Sequence, residues 1–166
     1  MIVVSDTTPL ISLMKASQLD VLERLFSEVF IPNTVFIELT SNDSYVNEAR
    51  QIMESGFITI ITVKNAGAVE ELRNKNGLDI GESEAIICAR ENNADVLLMD
   101  EAKGRQVATS YGINVMGTIG ILLVSYDEGI LTEIQVERAL GDLREANRRI
   151  SDRLLMYAYS YIEQKR

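Results

Sequence analysis

The sequence predicts an α/β fold, a parallel sheet of about five strands covered by helices on both faces. Three observations predict it. Short aliphatic or β-branched runs recur five times along the chain, and each is followed by residues with helical spacing of apolar positions. Strands that alternate with helices in this way pair in parallel, with the crossover helices lying on the faces of the sheet. No linker, internal repeat or low-complexity segment interrupts the 166 residues, a length that fits one domain able to bury a core without staples.

Ile2 to Ser5 is the first run and reads as a buried strand. Thr8-Pro9 offers an N-cap followed by proline at the first helical position, and Leu10, Leu13 and Met14 follow at helical spacing. Asp20 to Phe26 continues as helix, and Val29 to Ile31 is a second strand. Pro32 opens a helix to about Thr40, Tyr45 to Glu54 forms the next, and Phe57 to Val63 is the third strand. Ala68 to Asn74 predicts a brief helix. Asp79-Ile80-Gly81-Glu82 has the form of a capping box, with Asp79 as cap and Glu82 reaching back, and opens a helix to about Asn92. Asp95 to Met99 is the fourth strand, and Glu101 to about Tyr111 its helix. Ile113 to Met116 is the fifth strand, followed by helix from Thr118 to about Ser125. Two amphipathic helices finish the chain at about 134–165. Val136, Ala139, Leu140 and Leu143 share a face of the first; Ile150, Leu154, Ala158 and Tyr161 share a face of the second.

Composition excludes several chemistries. The chain has no histidine, which removes the Ser-His-Asp triad, the Cys-His pair and imidazole metal ligands together. A single cysteine, Cys88, rules out an intrachain disulfide and makes a cytoplasmic setting the default expectation. Ile2 to Ser5 followed by Asp6 is no signal peptide, and no apolar stretch is long enough to span a bilayer, so no membrane partner is expected. The net charge is −9. An acidic chain binds nucleic acid poorly as a whole, because phosphate neutralisation dominates that affinity. The charge is uneven, however. From Arg138 onward there are seven basic and four acidic residues, so a nucleic acid would meet Arg138 to Arg153 if it meets a basic surface. The alternative for those arginines is a solvated helix face.

Ligands of open α/β sheets bind outside the carboxyl ends of the strands. The first strand ends in Ser5-Asp6-Thr7-Thr8 and the fourth in Met99-Asp100-Glu101. Either aspartate could be a helix cap; both together, each directly after an apolar strand, point to a site. Glu38 is bracketed by Val35 and Leu39, on or beside the inward face of its helix, where a carboxylate is costly unless paired or metal-bound. Its alternative is an edge position reaching water. Glu84 shares a face with Ile87 and Cys88 and points to the core side, whereas first-turn enrichment in acids would equally account for it. Asp6, Glu38, Glu84 and Asp100 would form an all-oxygen catalytic and metal site suited to Mg²⁺ or Mn²⁺. Asp79 and Glu82 are the alternative acids.

These segments resemble PIN domains. Ile2 to Pro9 is similar to the opening of that family: an apolar strand, Asp6, and a hydroxyl two residues later in Thr8. Pro32 to Leu39 resembles its second acidic element, Leu78 to Ile86 its third, and Leu97 to Glu101 with Gly104-Arg105 its fourth. Gly117-Thr118-Ile119-Gly120 fits a subgroup of predicted nucleic-acid binders. The resemblance implies a three-layer α/β/α sandwich and a metal-dependent ribonuclease, and many members are toxins of toxin–antitoxin pairs. By position it carries the ligand role to Asp6, Glu38 and Asp100 and a supporting hydroxyl to Thr8. Many relatives have an aspartate where this chain has Glu84.

Several other classes fit less well. A haloacid-dehalogenase-like phosphatase needs a second acid where Thr8 stands, and a dinucleotide fold needs a glycine fingerprint that Gly117 to Gly120 is too short to provide. The remaining alternative is a PIN-like module that binds RNA or protein without cutting. Within the enzyme reading, Arg105 and Thr118 would contact phosphate or support the ligands. Tyr157, Tyr159 and Tyr161, with Leu154, Leu155 and Ile162, cannot all be hidden by one helix face. A homodimer or a complex with a small antitoxin is therefore expected there, with packing on the domain's own core as the alternative.

Overall fold

A computed structural model describes residues 1–166. Five strands form the sheet: β1 (Val3–Ser5), β2 (Val29–Pro32), β3 (Ile58–Ile61), β4 (Val96–Leu98) and β5 (Val115–Met116). All pairings are parallel, in the order β3-β2-β1-β4-β5, with Val4 opposite Phe30 and Ser5 opposite Leu98. The helices are α1 (Thr7–Lys15), α2 (Val21–Phe26), α3 (Asn33–Ser41), α4 (Val46–Glu54), α5 (Ala66–Asn76), α6 (Ile80–Glu91), α7 (Ala102–Ser110), α8 (Thr118–Asp127), α9 (Glu133–Glu145) and α10 (Asp152–Gln164). No helix is long and apolar enough to cross a membrane.

The period-2 alternation of the strands sorts their side chains into two cores. Val3 and Leu98 join α1, α8, α9 and α10 in the larger one, which also takes Val29 and Ile31. Val4, Leu97 and Met99 point the other way, onto Leu72 of α5, Ile86 of α6 and Ala108 of α7. The result is the expected α/β/α sandwich, with β1 and β4 buried at its centre.

Two local expectations shift. Helix α1 begins at Thr7 rather than after Thr8, with Asp6 in the N-cap position and Pro9 inside the first turn. Proline is tolerated there because first-turn N–H groups have no intrahelical acceptor. In α10 the buried face is Leu155, Ala158 and Ile162, while Leu154 is 41% and Tyr157 57% exposed. Ile150 precedes the helix, whose cap is Ser151. Of the expected face, Ala158 is fully buried and Ile150 and Tyr161 pack partly buried against the core, but Leu155 takes the inward place expected of Leu154. On α9, Val136, Ala139, Leu140 and Leu143 are all fully buried, as expected.

Candidate active site

Strand order alone locates the site. The chain runs outward from β1 through β2 to β3, crosses to β4 on the other flank of β1, and continues to β5. The direction reverses between β1 and β4, and open α/β sheets bind ligands in the crevice beyond the strand ends at such a point. Asp6 and Asp100 follow these two strands. The Asp6 N–H donates to the Leu98 carbonyl at 2.9 Å, which fixes the two strand ends side by side.

The two aspartates are held differently. Asp6 makes no capping bond, although it occupies the cap position of α1. It is 5% exposed. Burial pushes its carboxyl up to about 7; the Thr7 N–H offsets part of this, and the negative charges of Asp79, Glu82 and Glu38 add to it. Asp100 is half-buried and firmly bonded. Its Oδ1 accepts from the Thr118 backbone N–H at 2.7 Å and its Oδ2 from the Thr118 hydroxyl at 2.6 Å. Thr118 is the first residue of α8, so Asp100 satisfies one of the N–H groups that the helix cannot pair itself. Capping of α7 falls to Glu101, which accepts from Gly104 N–H at 2.9 Å.

Glu38 and Glu84 also part company. Glu38 is exposed, the edge position rather than the inward one, yet its Oε2 reaches back to accept from the Thr7 hydroxyl at 2.8 Å. Glu84 is buried at 7% exposure and faces the start of α3, where it accepts from the Thr34 N–H at 3.3 Å and from the Thr34 hydroxyl. The capping box of α6 is present, with Asp79 accepting from Glu82 N–H at 2.7 Å and Glu82 from Asp79 N–H at 3.1 Å. Glu82 is held above the usual carboxylate range by burial first, then by Asp79 and Glu101.

Gly81 brings three of these acids to one place. A Cβ on Gly81 would lie 3.4 Å from Glu38 Oε2, 3.5 Å from Asp79 Oδ1 and 3.9 Å from Asp6 Oδ1. Asp6, Glu38 and Asp79 thus surround a small gap, with Glu84 turned away to α3. On the other side of β1, Gly117 is hemmed in. A Cβ there would stand 2.9 Å from both Asp100 Oδ1 and Arg105 Nη1, so any larger residue would displace Asp100 or Arg105. Arg105 Nη1 donates to the Met99 carbonyl at 2.9 Å. Thr8 lines a cleft of about 360 Å³ beside Asp100, together with Thr118, Arg148 and Arg149.

The hydroxyls of Thr7 and Thr34 were not among the residues read from the sequence. Thr8 stood out because it repeats a family spacing, but it is Thr7 that bonds an acid. A β-turn or helix rule cannot reveal this, since the partners lie 31 and 50 residues apart.

The donor chemistry fits a hard divalent cation, being carboxylate and hydroxyl oxygen only. The ligands come in small sets rather than in a closed cage: no group of three or more acids is close enough to hold an ion by itself. Mg²⁺ typically keeps several waters and takes one or two carboxylates with substrate phosphate, which suits Asp6 with Glu38 or Asp79 on one side and Asp100 on the other. No curated protein matches the chain. A family model described as a PIN domain matches residues 2–164, nearly the whole length, and the chain therefore belongs to the PIN-domain family, a nuclease-like fold whose members typically use divalent metals.

Proposed function

We propose that this protein is a Mg²⁺- or Mn²⁺-dependent endoribonuclease that hydrolyses RNA phosphodiester bonds, an activity that would suit the toxin of a toxin–antitoxin pair. One observation carries the reading. Asp6 is a buried carboxyl at the topological switch point, without a capping bond and pushed up to about 7. Neither packing nor helix capping accounts for an acid in that position. A cation or a proton does.

Asp6, with Glu38 or Asp79, and Asp100 would supply carboxylates to the ion, and water and substrate phosphate would complete its shell; Glu84 is held by Thr34 on α3. When bound, the ion neutralises charge on the phosphoryl oxygens and acidifies a water. The chain's own groups do the rest. Thr7 orients Glu38, and Thr118 orients Asp100 through two bonds. Fixed supports of this kind keep ligands in place without reorganisation during the reaction. Arg105 is anchored through Nη1 to the Met99 carbonyl, which leaves its other N–H groups free to bind a non-bridging phosphate oxygen.

The second reading is a PIN-like module that binds RNA or protein without cutting. It draws support from the absence of a three-acid group and from the helix-end bonds that occupy Glu84 and Asp100. Incubation of single-stranded RNA with the purified chain separates the two. Cleavage in Mn²⁺, none in EDTA, and loss of cleavage in folded Asp100→Asn are the expected results. Equal cleavage by Asp100→Asn, which would indicate a contaminating nuclease, or no cleavage of any RNA in Mn²⁺, returns the protein to the binding class.

A further inference from the structure

Two cavities meet at Asp100. The polar one, described above, has Arg148 and Arg149 on its wall. The other is an apolar groove of about 460 Å³ on the far side of Asp100, between α8 and α10, lined by Leu123, Val124, Leu154, Tyr157 and Tyr161. Asp100, Ile119 and Leu154 border both, so the two are continuous. The groove has the size of a small-ligand pocket.

The walls of the groove are prepared. The Tyr161 hydroxyl donates to Asp127 at 2.6 Å, and Lys165 lies over the Tyr161 ring. Tyr157 leans on Tyr161, with ring centroids 6.1 Å apart, and remains 57% exposed. An exposed aromatic ring supported from behind is a stacking platform. In the polar cleft, Arg148 donates from Nε to Ser12 at 3.0 Å, and neither Arg148 nor Arg149 forms an ion pair. The remainder of the chain, residues 1–137, carries nine basic and twenty-one acidic residues; Asp100 and Glu101 share the cleft, so its two arginines, neither in an ion pair, are the part of it that complements a phosphate.

We infer that the joined cavities form a nucleotide subsite for single-stranded RNA, with phosphates in the arginine cleft and an unpaired base stacked on Tyr157 in the apolar groove. This rests on the ribonuclease reading for its orientation at Asp100, not for its binding. A base in a duplex is stacked and paired and cannot enter the groove, so Tyr157 selects single strands. Arg149 contacts backbone and does not discriminate. Aromatic stacking is sequence-tolerant, so the subsite distinguishes strandedness rather than base identity.

Fluorescence anisotropy in EDTA tests this on the full chain, with a short labelled RNA of mixed sequence, single-stranded or annealed to its complement. Tyr157→Ala should weaken single-strand binding by about tenfold or more and leave duplex binding unchanged, whereas Tyr157→Phe should bind as wild type. Arg149→Ala should weaken both RNAs and lower the salt slope by about one. No binding by the wild type, wild-type affinity in Tyr157→Ala, or equal loss of both RNAs in that variant overturns the subsite. A melting curve for each variant excludes misfolding as the cause. Cleavage in Mn²⁺ is scored separately. Wild type that binds with this pattern but does not cut defeats the ribonuclease reading alone; wild type that cuts while Tyr157→Ala binds single strands unchanged defeats the subsite alone.

Discussion

Asp6 and Asp100 are equivalent in sequence, each an aspartate closing an apolar strand at the centre of the sheet, and opposite in environment. Asp6 is nearly inaccessible, lacks a capping bond and is crowded by Asp79, Glu82 and Glu38. Asp100 is half-open and bonded twice to Thr118. One acid is destabilised and the other prepositioned. A divalent site gains from both, because a crowded acid supplies the driving force for binding a cation and a fixed acid supplies the geometry.

Removal of either carboxylate should have the largest effect. Asp6→Asn and Asp100→Asn should each lower RNA cleavage by on the order of 10²–10³-fold or more, as expected for loss of a major electrostatic partner of the transition state. A single-turnover assay at saturating Mn²⁺ would show whether the two positions act together. The comparison breaks if only one variant is impaired.

Stability against pH separates the two next. In EDTA the folded pKa of Asp6, about 7, lies above its unfolded value near 3.9. Between these values the folded state binds more protons. Its stability is therefore greatest at acid pH and falls as pH rises from about 4 to about 7, by at most ~4 kcal/mol. Urea unfolding of Asp6→Asn should lack this component and be more stable than wild type at pH above about 7. A wild-type curve flat over that window would contradict the burial of Asp6.

Addition of Mn²⁺ should reverse the penalty. At 100 times its dissociation constant a cation that binds only the folded state contributes about 2.7 kcal/mol. The melting temperature should rise over that in EDTA, and Asp6→Asn should abolish the rise. The same response in Asp6→Asn as in wild type would move the ion elsewhere.

The smallest effects concern the hydroxyls. Thr118→Val keeps the backbone bond to Asp100 and loses the side-chain one. It should cost about 1 kcal/mol of stability and roughly 10–100-fold in cleavage or metal affinity. Thr7→Val should release Glu38 at similar cost. Differential scanning and Mn²⁺ titration of both variants would show which of the two acids depends more on its threonine.

The sheet, its helices and the positions of Asp6 and Asp100 were legible because they follow from local periodicity and strand order. Val136 to Leu143 shows the same, with its whole stripe buried. On α10 the expected face holds at Ala158 and fails at Leu154, which gives its inward place to Leu155 because the helix starts only after Ile150. The fates of Glu38 and Glu84 were not legible, since each is decided by a threonine on another element. Sequence spacing records what a helix face can present and not what stands opposite it.

Gly81 offers a way to silence the site without touching its charges. Alanine is favoured over glycine in a helix, by up to about 1 kcal/mol in its interior and by less at Gly81 in the first turn of α6, and a methyl group there would meet the carboxylates at 3.4–3.9 Å, ordinary contact distances. Gly81→Ala should thus fold at least as well as wild type while its methyl occupies the gap that Asp6, Glu38 and Asp79 enclose. An aspartate-to-asparagine change alters hydrogen bonding, protonation and field together. A methyl plug alters only room, so a crystal or calorimetric study of Gly81→Ala would ask whether an ion needs that space, independently of whether it needs those acids.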